Sequence, residues 1–292
     1  MTRVMRVLSL FDWMACWYEA LVRAGIPIDK YYASEIDKYA IQIATKNHPD
    51  IIEIWDVCNV EWEDYQDIDL LIWGSPCQWF SVAGKMLNFD DPRSKLFFEY
   101  VRLLREVNPK YFLLENVKMK KEWQDIISWE LWVEPIEINS SLVSWQSRIR
   151  LYRTNIPSVS QPEDRWITLN DIKETKYPSI VYYEDWELRI KQATKQWYIV
   201  AEDWDWIDLS YPTSTTRRGR VVSKKSNTLT TQWELYICEK IIRRLTPIEC
   251  ERLQTLPDNY TQWVSDTQRY KMLGNGWTVD VISHIFSFIP KE

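Results

Sequence analysis

Glycine is nearly missing from this chain: 6 of 292 residues, where about 7% is usual. Tight turns and close approaches of backbone to a ligand are left without the residue that ordinarily permits them. Histidine is scarcer, with only His48 and His284. Neither adjoins a cysteine motif, which argues against a Cys–His protease pair and a histidine-rich zinc site. The five cysteines (Cys16, Cys58, Cys77, Cys238, Cys250) are scattered with no CxxC. No metal is expected from them, and an odd, dispersed set points to a reducing cytoplasm. No run of 18 apolar residues exists, so no transmembrane helix is expected. The N-terminal 1-MTRVMRVLSLF-11 reads as a first strand rather than a signal peptide. The formal net charge of −6 argues against a nonspecific nucleic-acid coat protein.

What the chain has in excess is tryptophan, 18 residues. Adding seventeen of them to the glycines brings that fraction to about 8%, close to the norm. One residue type thus stands where another is expected. Otherwise the 46% hydrophobic and 27% charged fractions are those of an ordinary globular protein.

The first half alternates strands and helices. Strands are expected at 5–11, 31–36, 51–54, 69–74 and 111–117, and helices at 14–24, 37–47, 94–107 and 120–131. Such alternation predicts a Rossmann-like α/β fold with a parallel sheet. Ligands bind such sheets at the carboxyl ends of the strands. Asp12, Glu35, Asp56, Cys77 and Glu115 each end or follow a strand, so they fall near one edge. Residues 156–243 have a different texture: short β-rich runs split by polar turns, a small β-rich insert. Thr246, Pro247 and Glu249 then open a helix as a capping box, and a last helix is expected at 278–288.

Three local features carry chemistry. In 74-GSPCQWFS-81 a cysteine follows a proline after a buried strand. Pro76 stiffens the turn and can hold a thiol in place. Cys77 is either a nucleophile or a buried structural thiol. In 115-ENV-117, Glu115 is either a catalytic carboxyl or a structural partner. On the cofactor side, 8-LSLFDWMACW-17 turns from strand to helix. Glu35 can accept ribose hydroxyls, and Asp56 suits an adenine amino group. Two basic runs remain, Arg148–Arg150–Arg153 and 215-TTRRGRVVSKKSNTLTT-231, either solvated surface or anion contacts.

The blocks 10-LFDWMACW-17, 35-EID-37, 56-DVC-58, 74-GSPCQ-78, 91-DPRSKLFFE-99, 115-ENV-117, 146-QSRIRLY-152, 245-LTPIECERLQTLPDNYT-261 and 273-LGNGWTVDVI-282 follow one another in the chain. In this order the chain resembles the DNA (cytosine-5) methyltransferases over nearly its whole length. The resemblance implies an S-adenosylmethionine-dependent enzyme acting on double-stranded DNA. Its domains would be a catalytic and cofactor-binding domain at 1–155, a target-recognition region at 156–243, and a return to the catalytic domain at 244–292. Cys77 would attack cytosine C6, Glu115 would hold N3, and Arg148 and Arg150 would bind the O2 side and a nearby phosphate. The target base would be flipped out of the helix. The cofactor would lie against Phe11, Asp12, Trp13, Trp17, Glu35, Ile36, Asp56, Val57, Gly74, Pro76, Leu96, Asn275 and Trp277. Arg217, Arg218, Arg220, Lys224, Lys225, Thr228 and Thr230 would contact DNA. A monomer in the cytoplasm is expected, on the nucleoid or in a phage-infected host, in a restriction-modification or phage setting. Two other readings stay open at this point: the same chemistry on tRNA, and a non-catalytic DNA-binding relic. The joint presence of Cys77, Glu115, Arg148 and Arg150 argues against the relic.

The departures from the family pattern are systematic. Trp13, Trp17, Trp55, Trp73 and Trp79 stand where the family has or accepts glycine. Trp186 follows Asp185 between two strand-like runs, where Asp-Gly would be a strong hairpin signal. The expectation is that every tryptophan except Trp277 is glycine in the native protein, with UGA codons decoded as glycine.

Overall fold

The computed structural model describes residues 4–74, 92–174, 188–191, 198–208, 220–226, 228–229, 235–238 and 242–291. The chain forms two compact units. The first comprises Met1–Asn139, Ile149–Pro162 and Val279–Glu292; the second, Ser140–Arg148 and Glu163–Thr278. This partition is cut differently from the expected division. Residues 140–148 and 244–278 go with the recognition region, and only the last segment returns to the first unit.

The first unit begins β1 (Met5–Leu10), α1 (Cys16–Arg23), β2 (Ile28–Ser34), α2 (Lys38–Asn47), β3 (Ile52–Glu53) and β4 (Leu70–Gly74). It continues with α3 (Pro92–Val107), β5 (Tyr111–Val117), α4 (Lys121–Leu131), β6 (Ile136–Asn139) and β7 (Ile149–Thr154). The sheet order is β3-β2-β1-β4-β5-β7-β6. The first five strands run parallel. The last two are antiparallel, a pair the sequence did not announce. The reversal of strand order beside β1 makes the switch point at which ligands bind such sheets.

Local chemistry explains the elements. The strands β1, β4 and β5 are almost continuously buried, as parallel strands covered on both faces must be. Leu8, Leu10, Leu71, Trp73, Phe112 and Leu114 pack with Phe97, Tyr100 and Val101 of α3 and Ile127 of α4. Pro92 is the first residue of α3, where its missing N–H is harmless. Asp37 caps α2, accepting from the Tyr39 N–H at 2.9 Å. No helix among the described residues is long and apolar enough to cross a membrane.

The second unit contains α5 (Leu169–Ile172), β8 (Leu188–Lys191), β9 (Tyr198–Ala201), β10 (Trp206–Asp208), β11 (Arg220–Val222), β12 (Leu235–Cys238) and β13 (Ile242–Arg244). Then come α6 (Pro247–Leu253) and α7 (Asp266–Asn275). Its strands form an antiparallel sheet, β11-β10-β12-β13, and a β8-β9 pair. The expected capping box is present: Thr246 Oγ1 accepts from the Glu249 N–H at 3.1 Å, and Glu249 accepts from the Thr246 N–H at 2.9 Å. The chain then re-enters the first unit as α8 (Val279–Phe286), which packs on α1 and ion-pairs Asp280 with Arg23 at 2.8 Å.

Thirteen non-glycine residues among those described have φ in the left-handed region. Five are tryptophans: Trp13 (φ 59°), Trp55 (61°), Trp132 (58°), Trp166 (56°) and Trp204 (78°). A bulky side chain at such φ is an outlier, because its Cβ crowds the backbone.

Candidate active site

Four chain segments leave the carboxyl ends of β1 to β4, and they supply one edge of the first unit. After β1, Phe11 and Trp13 both take positive φ, so the chain turns sharply before α1. Asp12, between them, is buried and accepts hydrogen bonds from the hydroxyls of Ser9 and Tyr31. Its second oxygen, Oδ2, is buried without a partner. Burial pushes its pKa up to about 7, against the lowering effect of the two hydroxyls.

After β2, Glu35 is gripped by backbone. Its Oε2 accepts from the Trp13 N–H at 2.9 Å; its Oε1 accepts from the N–H groups of Ile36 (2.7 Å) and Asp37 (2.8 Å). Burial raises its pKa, opposed by these three bonds. Ile36 itself is exposed. After β3, Asp56 is exposed and caps a 3-10 turn through the Cys58 N–H at 2.9 Å, while Val57 is buried.

One participant was missed by sequence reasoning. Both carboxyl oxygens of Glu53 on β3 are buried without partners. Burial, then the neighbouring charges of Asp12 and Glu35, pushes its pKa up to about 8. The 51-IIEI-54 run offered a faint signal: a lone carboxylate inside a strand. Three mutually repelling carboxyls therefore gather at this edge.

Trp17, on α1, is fully buried, as is Trp73 on β4. Trp73 stacks on Phe97 at a centroid distance of 5.6 Å. Trp73 also lies against Phe11, with ring centroids 6.0 Å apart. Leu96 is half-buried against the same core.

On β4, Gly74 stands in register opposite Glu115 of β5. Glu115 is buried and forms an ion pair with Arg150 of β7, Nε to Oε1, at 2.9 Å. The register pairs Glu115 with Tyr152 and Val117 with Arg150. The two charges are thus diagonal neighbours on one face of an antiparallel pair. Arg153 of the same strand is also buried, braced by Ser128 Oγ (3.3 Å) and the Gln124 carbonyl (3.0 Å). Burial brings its pKa down to about 10. Pro76 and Cys77 lie outside the described residues.

The family model of the C-5 cytosine-specific DNA methylases matches residues 5–126 and 151–291. The chain belongs to this family. It is a DNA (cytosine-5) methyltransferase. It is 31% identical over 289 residues to the type II methyltransferase M1.ScrFI of Lactococcus lactis subsp. cremoris, covering 88% of this chain and 71% of that protein. It is 42% identical over 116 residues to the orphan methyltransferase M.SPRI of Bacillus phage SPR, covering 39% of this chain and 26% of the phage protein. Its fold matches that of the S. pombe Dnmt2 methyltransferase with a TM-score of 0.69 at 20% identity, covering 97% of each chain.

In this methyltransferase the second unit redistributes several expected site residues. Arg148 is buried, and its guanidinium donates to the carbonyls of Gly276 (2.8 Å), Gly274 (3.3 Å) and Leu229 (3.3 Å). These bonds commit the Arg148 guanidinium to backbone carbonyls of its own unit. Lys225 donates to the carbonyls of Ser141 (3.0 Å), Ser144 (3.2 Å) and Ile167 (3.1 Å). An ammonium has three N–H donors, and all three are taken up internally. Thr228 donates to the Ser147 carbonyl at 3.0 Å. Lys224 is exposed at φ 62°. Arg220 opens β11, while Arg217, Arg218 and Thr230 lie outside the described residues. Asn275 ends α7 and Trp277 is buried just beyond it. Among the described residues no His, Cys, Asp or Glu group could hold a metal ion.

Proposed function

We propose that this methyltransferase acts on a cytosine flipped out of double-stranded DNA, through a covalent bond between Cys77 and C6. The observation that carries the reading is the buried Glu115–Arg150 pair beside Gly74, the last residue of the strand leading to Pro76 and Cys77. The Cys77 thiolate would add to C6. Arg150 would face the O2 side and Glu115 would hold N3, so the electron density displaced by the addition is met by a fixed donor pair. C5 would then be nucleophilic toward the methyl carbon of S-adenosylmethionine, whose bond to sulfur would break with S-adenosylhomocysteine as the leaving group. Loss of the C5 proton to a solvent base would return the electron pair to the ring and expel Cys77 as thiolate.

The family uses S-adenosylmethionine, which supplies the methyl group as an electrophile when bound. The residues at the edge fit such a ligand. The partnerless Asp12 Oδ2 and the partnerless Glu53 carboxyl lie among mutually repelling acids, and a cationic ligand relieves that repulsion. Phe11, Glu35, Ile36, Asp56 and Val57 would line the site, with Leu96 as a further candidate; Pro76, Asn275 and Trp277 are those that the family resemblance alone adds. DNA would be met by Arg217, Arg218, Arg220 and Lys224. The enzyme would work as a cytoplasmic monomer without a metal.

The test is a covalent adduct with duplex DNA containing 5-fluorocytosine, where fluorine blocks the final elimination. The adduct should form with the intact protein and vanish in Cys77→Ser. An adduct with fluorinated tRNA but not with duplex DNA would sink the DNA reading.

A further inference from the structure

We infer that the native polypeptide carries glycine where the sequence reads Trp13, Trp55, Trp132, Trp166 and Trp204. All five have φ between 56° and 78°. Glycine adopts this region freely; a side chain branching into an indole does not. Four of the five are exposed: Trp132 83%, Trp166 79%, Trp55 60% and Trp204 40%. Trp55, Trp132 and Trp166 are mostly in solvent, so burial does little to hold their strained turns, while Trp204 is covered by the Lys173 ammonium at 4.3 Å. Trp132 also caps α4 in the left-handed conformation just beyond Leu131, the place at which glycine most often stops a helix.

Two further tryptophans, Trp206 and Trp129, are consistent with the same origin, whereas Trp145 is buried with its indole N–H donating to the Lys224 carbonyl at 2.9 Å. Trp206 is buried with its indole N–H lacking a partner, a state buried indoles usually avoid. The exposed Trp129–Trp132 pair, centroids 6.5 Å apart, would otherwise pass for a docking patch. Trp277 sits at ordinary φ and is buried, as a genuine tryptophan should be. The device that produces this pattern is a codon read as glycine in the native cell and as tryptophan elsewhere.

Tandem mass spectrometry of the protein isolated from the cells that naturally express it decides the matter. Glycine at positions 13, 55, 132, 166 and 204, with tryptophan at 277, is expected. Tryptophan at the five positions would overturn the inference. In recombinant protein, the five-fold variant W13G/W55G/W132G/W166G/W204G should melt at a higher temperature than the literal sequence; an unchanged or lower Tm counts against it.

A separate observation supports a second inference: Arg148 is a positioning residue that locks the recognition strap to the Gly-Asn-Gly turn. The Leu229 peptide is held at both ends, its N–H by Gln146 Oε1 at 2.9 Å and its carbonyl by Arg148. Gln146 Nε2 reaches Gln254 Oε1 at 3.4 Å, and Gln254 Nε2 donates to the Leu273 carbonyl at 2.6 Å. Thr278 Oγ1 donates to Gln254 Oε1 at 3.1 Å. All of these residues are buried. Ser226 adds a backbone bridge, its N–H to the Trp145 carbonyl at 2.9 Å and its carbonyl to the Ser147 N–H at 2.8 Å. The segment carrying Lys224 and Thr228 is thereby fixed to the residues flanking Asn275.

This inference rests on the proposed DNA reading, and salt dependence separates the two. Each phosphate contact contributes about 0.9 to the slope of log affinity against log salt. R148K and K225M should keep the wild-type slope, while kcat in R148K falls roughly 10- to 100-fold, as misplacement of a reacting group does. Q254L, which alters no charge, should reproduce that kcat loss with little change in KM. A reduced slope in R148K or R148M, or full kcat in Q254L, overturns the inference. Absence of any wild-type adduct with DNA would instead sink the reading it rests on.

Discussion

Asp12 and Glu53 have pKa values pushed up to about 7 and about 8, chiefly by burial. The unfolded chain would ionise both near 4. Between those limits the folded state holds more protons than the unfolded one, so stability falls as pH rises from about 4 toward 7–8. The slope reaches at most about 1.4 kcal/mol per pH unit per proton. Asp12→Asn should flatten the lower part of that profile in urea titrations at stepped pH. A cationic ligand at this edge should bind more tightly as pH climbs through the same window; calorimetry with S-adenosylmethionine that shows weaker binding at higher pH would contradict the assignment. The Glu115–Arg150 pair behaves differently. Both partners are largely buried, so Glu115→Gln leaves an uncompensated cation, at a cost of about 3–5 kcal/mol. Adding Arg150→Met should restore part of the urea midpoint and none of the activity.

At the level of elements, local signals were readable wherever a segment made its own case. The helix at Thr246 has its cap, its proline and its reciprocal glutamate within four residues, and it forms. Thr246→Ala should lower stability by about 1 kcal/mol, measured as a shift in denaturation midpoint. The parallel strands β1, β4 and β5 were legible because doubly covered strands read as apolar runs. The β6–β7 pair was not. Its second strand contains Arg150 and Arg153, both buried, and charges inside a strand mask the alternation that betrays it. The helix α7 was also missed, because its sequence runs straight into Gly274-Asn275 and looks like a loop.

Across the whole molecule, chain order and compactness diverge. The first unit is closed by its last segment: α8 returns to pack on α1. Residues 140–148 leave that unit briefly to join the other. Turn strain is distributed over both units, with Trp13, Trp55 and Trp132 in the first and Trp166 and Trp204 in the second. Each left-handed indole costs about 1–3 kcal/mol. The five together rival the net stability of an ordinary domain, about 5–15 kcal/mol. The literal polypeptide is therefore expected to be marginal, and calorimetric unfolding should show its transition well below that of the glycine-restored protein.

The sequence by itself determined the family, the order of strands and helices in the first half, the capping of α6 and the anomaly of the tryptophans. Those follow from short-range patterns: periodicity, caps, turn residues and motif order. Through the family resemblance it also marked Cys77, Glu115, Arg148 and Arg150 together; that Glu115 pairs with Arg150 came from the fold. Only the tertiary structure decided which charges are working surface and which are internal. Arg148 meets carbonyls 81, 126 and 128 residues away in the chain, and Lys225 meets carbonyls 58 to 84 residues away. No local pattern encodes such encounters. A cation's role is set by which acceptors surround it after folding, and that is a property of the packed chain.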